Sequence, residues 1–146
     1  MQLNCILFIM NTYKTILNNT GLKATKSRLG ILEILKKQQK PLDVTEIAHQ
    51  LAAKKISPDH VTIYRILEAF QKRKIVQRVE LGEGKFRYEL ARNDHHHLIC
   101  KKCGTIQDTP SCPVGKMKKM ILQKQHFLVE RHALEFFGLC KQCQSL

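Results

Sequence analysis

The chain has 146 residues, 43% of them hydrophobic, and carries 25 Lys and Arg against 12 Asp and Glu, a net charge of +13. That length fits one domain or two small ones sharing a hinge, with enough apolar residues to bury a core. The positive charge suits a polyanionic partner, and nucleic acid is the commonest. A secretory or membrane-spanning start is not expected: Leu3 to Met10 is mostly apolar but short, and no Lys or Arg comes before Lys14. Four of the six cysteines fall in two Cys-x-x-Cys pairs, a metal pattern more than a disulfide one, which places the chain in a reducing cytoplasm.

Residues 1–11 read as an N-terminal extension in which Cys5 has no role. A short helix is expected over 12–19, then a basic turn from Gly21 to Arg28. Leu29, Leu32 and Leu35 recur at helical spacing, widened by Ile31 and Ile34, until Pro41. Asp43 with Glu46 three residues later reads as a capping box for a helix that turns Ile47 and Leu51 inward. Ser57-Pro58 reads as the next start, cap then proline, for a helix burying Ile63, Leu67 and Phe70. Thr62, Arg65 and Glu68 then lie on its other faces, bordered by Tyr64.

The period changes next. Ile75, Gln77, Val79 and Leu81 alternate, Gly82-Glu83-Gly84 turns, and Phe86, Tyr88 and Leu90 alternate again: a β-hairpin. Three helices and a glycine-tipped hairpin predict a winged helix-turn-helix over 12–90. Its third helix would enter the major groove and its wing would follow the backbone.

Residues 91–94 read as a hinge, and 95–146 as a small α/β metal-binding domain. Short strands are expected at Leu98-Ile99 and Thr105–Asp108. A helix follows from Lys116 to Gln125, with Met117, Met120 and Ile121 inward. Phe127–Val129 and Ala133–Phe136 read as further strands. Cys100-Lys101-Lys102-Cys103 and Cys140-Lys141-Gln142-Cys143 are separated by 36 residues, enough for the chain to return. Four thiolates in two such pairs make a closed, structural zinc site. Ahead of the first pair run Asp94, His95, His96 and His97. Side chains alternate on a strand, so His95 and His97 point one way and His96 the other. Glu89 and Asp108 could join the first face, an N/O set suited to zinc, iron(II) or manganese(II). His96 could meet His132, with Asp94 or Cys112. His49 reads as exposed, His126 as a loop residue, and His60 as a phosphate contact. An enzyme is the weakest reading: a zinc deaminase would need Pro-Cys-x-x-Cys and His-x-Glu, and neither Cys-x-x-Cys follows a proline and no His-x-Glu occurs.

Gly21-Leu22-Lys23-Ala24-Thr25 with Arg28, Val61-Thr62-Ile63-Tyr64-Arg65-Ile66-Leu67, the run from His95 to Gly104, and His132 followed by Cys140 together resemble the ferric uptake regulator family. The likeness extends from about Gly21 to Cys143. It implies an α+β homodimeric, metal-activated repressor that binds double-stranded operator DNA, with an N-terminal winged helix and a C-terminal dimerisation domain. Cys100, Cys103, Cys140 and Cys143 match its structural zinc site. Glu89, His95, His97 and Asp108 match its sensing site between the domains, and His96 and His132 its second site. Tyr64 and Arg65 match DNA-contacting positions, and with Lys23, Thr25, Arg28, His60 and Thr62 they form the candidate DNA-binding set.

Two departures stand out. Pro41 occupies the place of a sensing-site histidine, which leaves four ligands there. Ser111-Cys112-Pro113-Val114-Gly115 has no carboxylate where the second site usually takes a glutamate, so that site is either absent or recruits Cys112. The iron- and zinc-sensing branches both fit. A peroxide sensor of the same family is a rival, although that branch typically has an aspartate at the place of Glu89. A constitutive zinc-ribbon nucleic-acid binder is the other.

Overall fold

A computed structural model describes residues 12–38, 40–80, 84–92, 95–109, 112–130, 132 and 134–145. The expected extension, Gly82, Glu83, Asp94 and Ser111 lie outside these. The chain divides into two compact units, residues 1–91 and 92–146.

The first unit holds helices α1 (12–19), α2 (Lys26–Gln38), α3 (Val44–Ala53) and α4 (His60–Lys72), then strands β1 (Val76–Glu80) and β2 (Phe86–Leu90). Its core is one cluster that includes Leu17, Ile31, Leu32, Leu42, Ile47, Leu51, Ile63, Leu67 and Phe70, all fully buried or nearly so. Helical spacing turns all of these but Leu42 inward, and Leu29 is only partly buried. Helices α1, α3 and α4 end in the same way. In each, a residue with positive φ (Gly21, Lys55, Lys74) is followed by an apolar residue whose N–H reaches back to the last turn: Leu22 to Leu17, Ile56 to Leu51, Ile75 to Phe70. This satisfies carbonyls the helix leaves open and packs Leu22, Ile56 and Ile75 against the core.

Helix α3 opens with a reciprocal capping box: the Glu46 N–H donates to Asp43 Oδ1 at 2.8 Å and the Asp43 N–H donates to Glu46 Oε2 at 2.9 Å. The start expected at Ser57-Pro58 is displaced. Helix α4 begins at His60 and its cap is Asp59, whose carboxylate accepts the Thr62 N–H at 2.8 Å and the Thr62 hydroxyl at 2.7 Å. A carboxylate takes both donors at once and so outcompetes the earlier serine. Strands β1 and β2 pair antiparallel, Val76 opposite Leu90 and Glu80 opposite Phe86. Leu42 adds a bridge to Tyr88, with N–H to carbonyl distances of 2.9 and 2.8 Å, fastening the segment before α3 to the wing.

The second unit is a three-stranded sheet in the order β4-β3-β5, from β3 (His96–Cys100), β4 (Ile106–Thr109) and β5 (Glu135–Gly138), with helices α5 (Gly115–Gln125) and α6 (Lys141–Gln144). β3 runs antiparallel to β4 and parallel to β5. Two expectations fail here. Phe127–Val129 is not a strand: His126 turns left-handed at φ 52°, and the segment beyond it joins no ladder. Met117 and Met120 do not face inward; helix α5 has no buried residue. The unit is too small to cover that face. Among its described residues only Ile99, Cys100 and Cys143 are buried apolar groups, a small core for a unit of this length.

Candidate metal centres and nucleic-acid interface

Cys100 ends β3 and Cys103 is the last residue of the tight turn over 101–103, which closes through the Gly104 N–H to the Cys100 carbonyl at 2.9 Å. Gly104 has φ +70°, a conformation that suits glycine. Cys140 caps α6, and one helical turn sets Cys143 back beside it. The parallel pairing of β5 with β3 returns the second pair to the first. The four Sγ atoms lie within 4.8 Å of one another, Cys103 and Cys140 at 3.6 Å. A tetrahedral ion with bonds of about 2.3 Å requires about 3.8 Å between sulfurs, so the residues fit zinc.

The four thiols differ in their surroundings. The Cys140 N–H points at Cys100 Sγ at 3.3 Å and lowers that thiol to about 6. The Thr105 hydroxyl at 3.1 Å lowers Cys103. Burial, then the neighbouring sulfurs, push Cys143 up to about 12. The thiols of the first pair are thus held low and Cys143 is held high, and a bound cation would favour the thiolate form at each.

On β3, His96 and His97 are both buried and point to opposite faces. His97 lies opposite Asp108 in the ladder, and its Nδ1 is 3.0 Å from Asp108 Oδ1. That contact orients the ring and leaves Nε2 for a metal. The other Asp108 oxygen accepts Arg92 Nη2 at 3.0 Å, and the same nitrogen is 3.3 Å from His95 Nε2. Asp108 is thus seated behind His97, and Arg92 is a neighbour that sequence reasoning missed. The rings of His95 and His97 meet edge to face at 5.0 Å. In the first unit, Glu89 is buried on β2 and accepts Gln77 Nε2 at 2.7 Å. On the other face of β3, His132 Nε2 lies 3.5 Å from His96 Nε2 and 3.3 Å from Cys112 Sγ. Asp94 is outside the described residues.

The outward face of α4 carries Val61, Tyr64, Arg65 and Glu68 in one stripe. Val61, missed in the sequence, is 58% exposed, although the spacing of 61, 64, 65 and 68 could have found it. His60 is exposed at the helix start. Thr62 is occupied by the cap, and its hydrogen bonds hold the Asp59 carboxyl below the usual range. Lys23 and Thr25 are exposed, and Arg28 Nη1 donates to the Lys23 carbonyl at 2.8 Å, which stiffens the basic turn. On the wing, the Arg78 guanidinium lies 4.0 Å over the Phe86 ring.

A family model described as the ferric uptake regulator family matches residues 19–137. A ferric uptake regulation protein of Bordetella parapertussis is 35% identical over 131 residues, covering 88% of this chain and 94% of that protein. A peroxide-responsive repressor of Staphylococcus saprophyticus is 30% identical over 131 residues, covering 90% and 88%. The solved ferric uptake regulator of Helicobacter pylori, described as having three functional metal binding sites, superposes with a TM-score of 0.76 at 26% identity, covering 95% of this chain and 93% of that one. On sequence and on fold, the chain belongs to the ferric uptake regulator family.

Proposed function

We propose that the chain is a metal-responsive, sequence-specific DNA-binding repressor of metal-uptake genes, acting in the cytoplasm as a homodimer. Among the described residues, no helix is long and apolar enough to cross a membrane. Helix α4 reads the major groove through Val61, Tyr64 and Arg65, while Lys23, Thr25, Arg28 and His60 contact phosphates. Cys100, Cys103, Cys140 and Cys143 hold a structural zinc ion. Glu89, His95 and His97 share a regulatory zinc or iron(II) ion, or manganese(II), with Asp108 orienting His97 or joining them. A second copy covers the apolar face of the C-terminal unit, where Phe127 and Leu128 are 62% and 67% exposed and Phe136 and Phe137 are also open. Patches of this kind mark association surfaces.

The observation that carries this reading is the face of β3 bearing His97, oriented by Asp108, just beyond the hinge from Glu89. Residues on both sides of a hinge that share one cation make domain placement depend on metal. The test is an operator-binding titration at buffered free zinc, iron(II) and manganese(II), with the structural zinc retained. One metal should tighten binding strongly. Metal-independent affinity would instead favour a constitutive zinc-ribbon binder. A gain of 16 Da on His95 or His97 after mild peroxide would favour the peroxide-sensing reading, which the 30% identical Staphylococcus relative keeps in play.

A further inference from the structure

The residues proposed for the regulatory ion have a cation of the chain's own beside them. Arg92, the first residue of the C-terminal unit, directs Nη2 at two acceptors, Asp108 Oδ2 at 3.0 Å and His95 Nε2 at 3.3 Å. That nitrogen carries two hydrogens and can give one to each. The other Asp108 oxygen holds His97 Nδ1 at 3.0 Å. All four side chains belong to the unit of residues 92–146.

A surface ion pair alone would be of little account, and the Arg92 and Asp108 side chains are 41% and 27% exposed. The bond to His95 gives the contact a consequence. A guanidinium can only donate, so His95 Nε2 is the nitrogen with the lone pair and Nδ1 the one with the proton. A neutral imidazole has a single lone pair in its plane. An ion at Nε2 takes that lone pair, and at about 2.0–2.1 Å it stands too close to the line of the Arg92 bond for the guanidinium to stay. An ion at Nδ1 moves the proton to Nε2, which then meets the Arg92 N–H as a second donor. Whichever nitrogen the ion uses, the bond from Arg92 to His95 is lost.

We infer that Arg92 is a built-in competitor for the regulatory ion. Its guanidinium holds His95 until a metal takes the ring, and losing that bond raises the metal concentration at which the set fills. Its charge also offsets the Asp108 carboxylate, which would otherwise draw a divalent ion in. The bond is broken whichever divalent ion arrives, so Arg92 sets a threshold and leaves selectivity to the ligands. The inference rests on the reading of His95 as a ligand of that ion, and it adds a residue that opposes binding.

The test uses full-length protein that retains its structural zinc, with manganese(II) as probe, an ion that sulfur-bearing sets bind poorly. The electron paramagnetic resonance signal of free manganese gives the dissociation constant without DNA. Arg92→Met removes the donor and keeps an apolar stem. It should tighten manganese by about 3- to 10-fold, the worth of a partly exposed hydrogen bond from a charged donor, at an unchanged melting temperature. His97→Ala should lose most of the binding. Were Arg92 instead an outer partner that supports Asp108 as a ligand, Arg92→Met would weaken manganese by about 10- to 100-fold. Weaker or unchanged binding in Arg92→Met, with His97→Ala still damaging, would overturn the competitor and leave the metal reading of the hinge standing. Unchanged binding in His97→Ala would bring down that reading and the inference with it. Should Arg92→Met fold poorly, the wild type decides by nitrogen NMR above neutral pH, before manganese is added. His95 should carry its proton on Nδ1, and a proton on Nε2 would overturn the inference.

Discussion

One carboxylate ties the helix-turn-helix to the wing, and removing it should be measurable. Glu46 Oε2 accepts the Asp43 N–H at 2.9 Å and Arg87 Nη1 at 2.8 Å. The first bond closes the capping box of α3, and the second reaches across to β2. Glu46→Ala removes both. Half a capping box is worth about 0.5–1 kcal/mol. A hydrogen bond between charged partners contributes about 1.5–3 kcal/mol. The Glu46 side chain is 36% exposed, however, so solvent screening leaves about 1 kcal/mol for the pair. The expected loss for Glu46→Ala is about 2 kcal/mol, or about 8–16 °C in melting temperature for a unit of this size. Glu46→Gln keeps an acceptor at the third helical position and loses only the charge, so about half that loss is expected. Urea unfolding followed by far-ultraviolet circular dichroism gives both values, and a double-mutant cycle with Arg87→Met isolates the pair. Equal losses for Ala and Gln would remove the capping contribution. Strict additivity of Glu46→Ala with Arg87→Met would show that the ion pair does not hold in solution.

Arg65→Ala should weaken operator binding by about 1–3 kcal/mol if Arg65 reads a base, with the loss confined to operator sequence. An equal loss on all DNA would assign Arg65 to phosphate, and no loss would remove α4 from the groove. Cys143→Ser, or zinc removal by a strong chelator, should unfold the C-terminal unit and leave the N-terminal helices standing, because the four-sulfur set supplies folding free energy that the small core does not. A Cys143→Ser protein with unchanged melting and full zinc content would refute this. Phe127→Asp with Leu128→Asp should convert dimer to monomer in analytical ultracentrifugation; a dimer of unchanged affinity would place the interface elsewhere.

What is legible in the sequence is mostly local. The Asp43 and Glu46 box needs only three residues of spacing, and the core face of α4 needs only its period. The start of α4 escapes the pattern because Ser57-Pro58 fits the usual signal, yet Asp59 offers a carboxylate that takes two donors from Thr62. Helix α6 is four residues long, too short for any period to show. Met117 and Met120 follow an inward spacing, but the surface they would meet is not supplied by their own unit. The bridge from Leu42 to Tyr88 and the pairing of Arg92 with Asp108 join segments far apart in the chain or across a ladder, and no local pattern encodes them. The same holds for the return of Cys140 to Cys103. Spacing shows that two sulfurs of a pair can reach one ion, but the parallel register of β5 on β3 decides that the two pairs meet.

The last prediction concerns the switch itself. On the proposed assignment Glu89 precedes the hinge and His95 and His97 follow it, so a regulatory ion would draw on residues of both units. Bound together, they would fix two recognition helices of a dimer about 34 Å apart, one turn of DNA. Without a shared ion the proposed hinge would leave the two helices of a dimer free of that constraint, and fewer dimers would present both in register. The ion can favour the DNA-competent arrangement only by the difference in its affinity for the two arrangements. The coupling is therefore reciprocal: operator DNA must tighten metal binding by the same factor that metal tightens operator binding, typically about 5- to 150-fold. His97→Ala should remove both effects together while the four-cysteine zinc stays bound. His96→Ala, on the opposite face of β3, should leave both in place. Operator affinity with and without metal, and metal affinity with and without operator, close the cycle for each variant. A coupling factor near one in the wild type would rule out the switch. A full response in His97→Ala with none in His96→Ala would move the sensor to the other face of the strand.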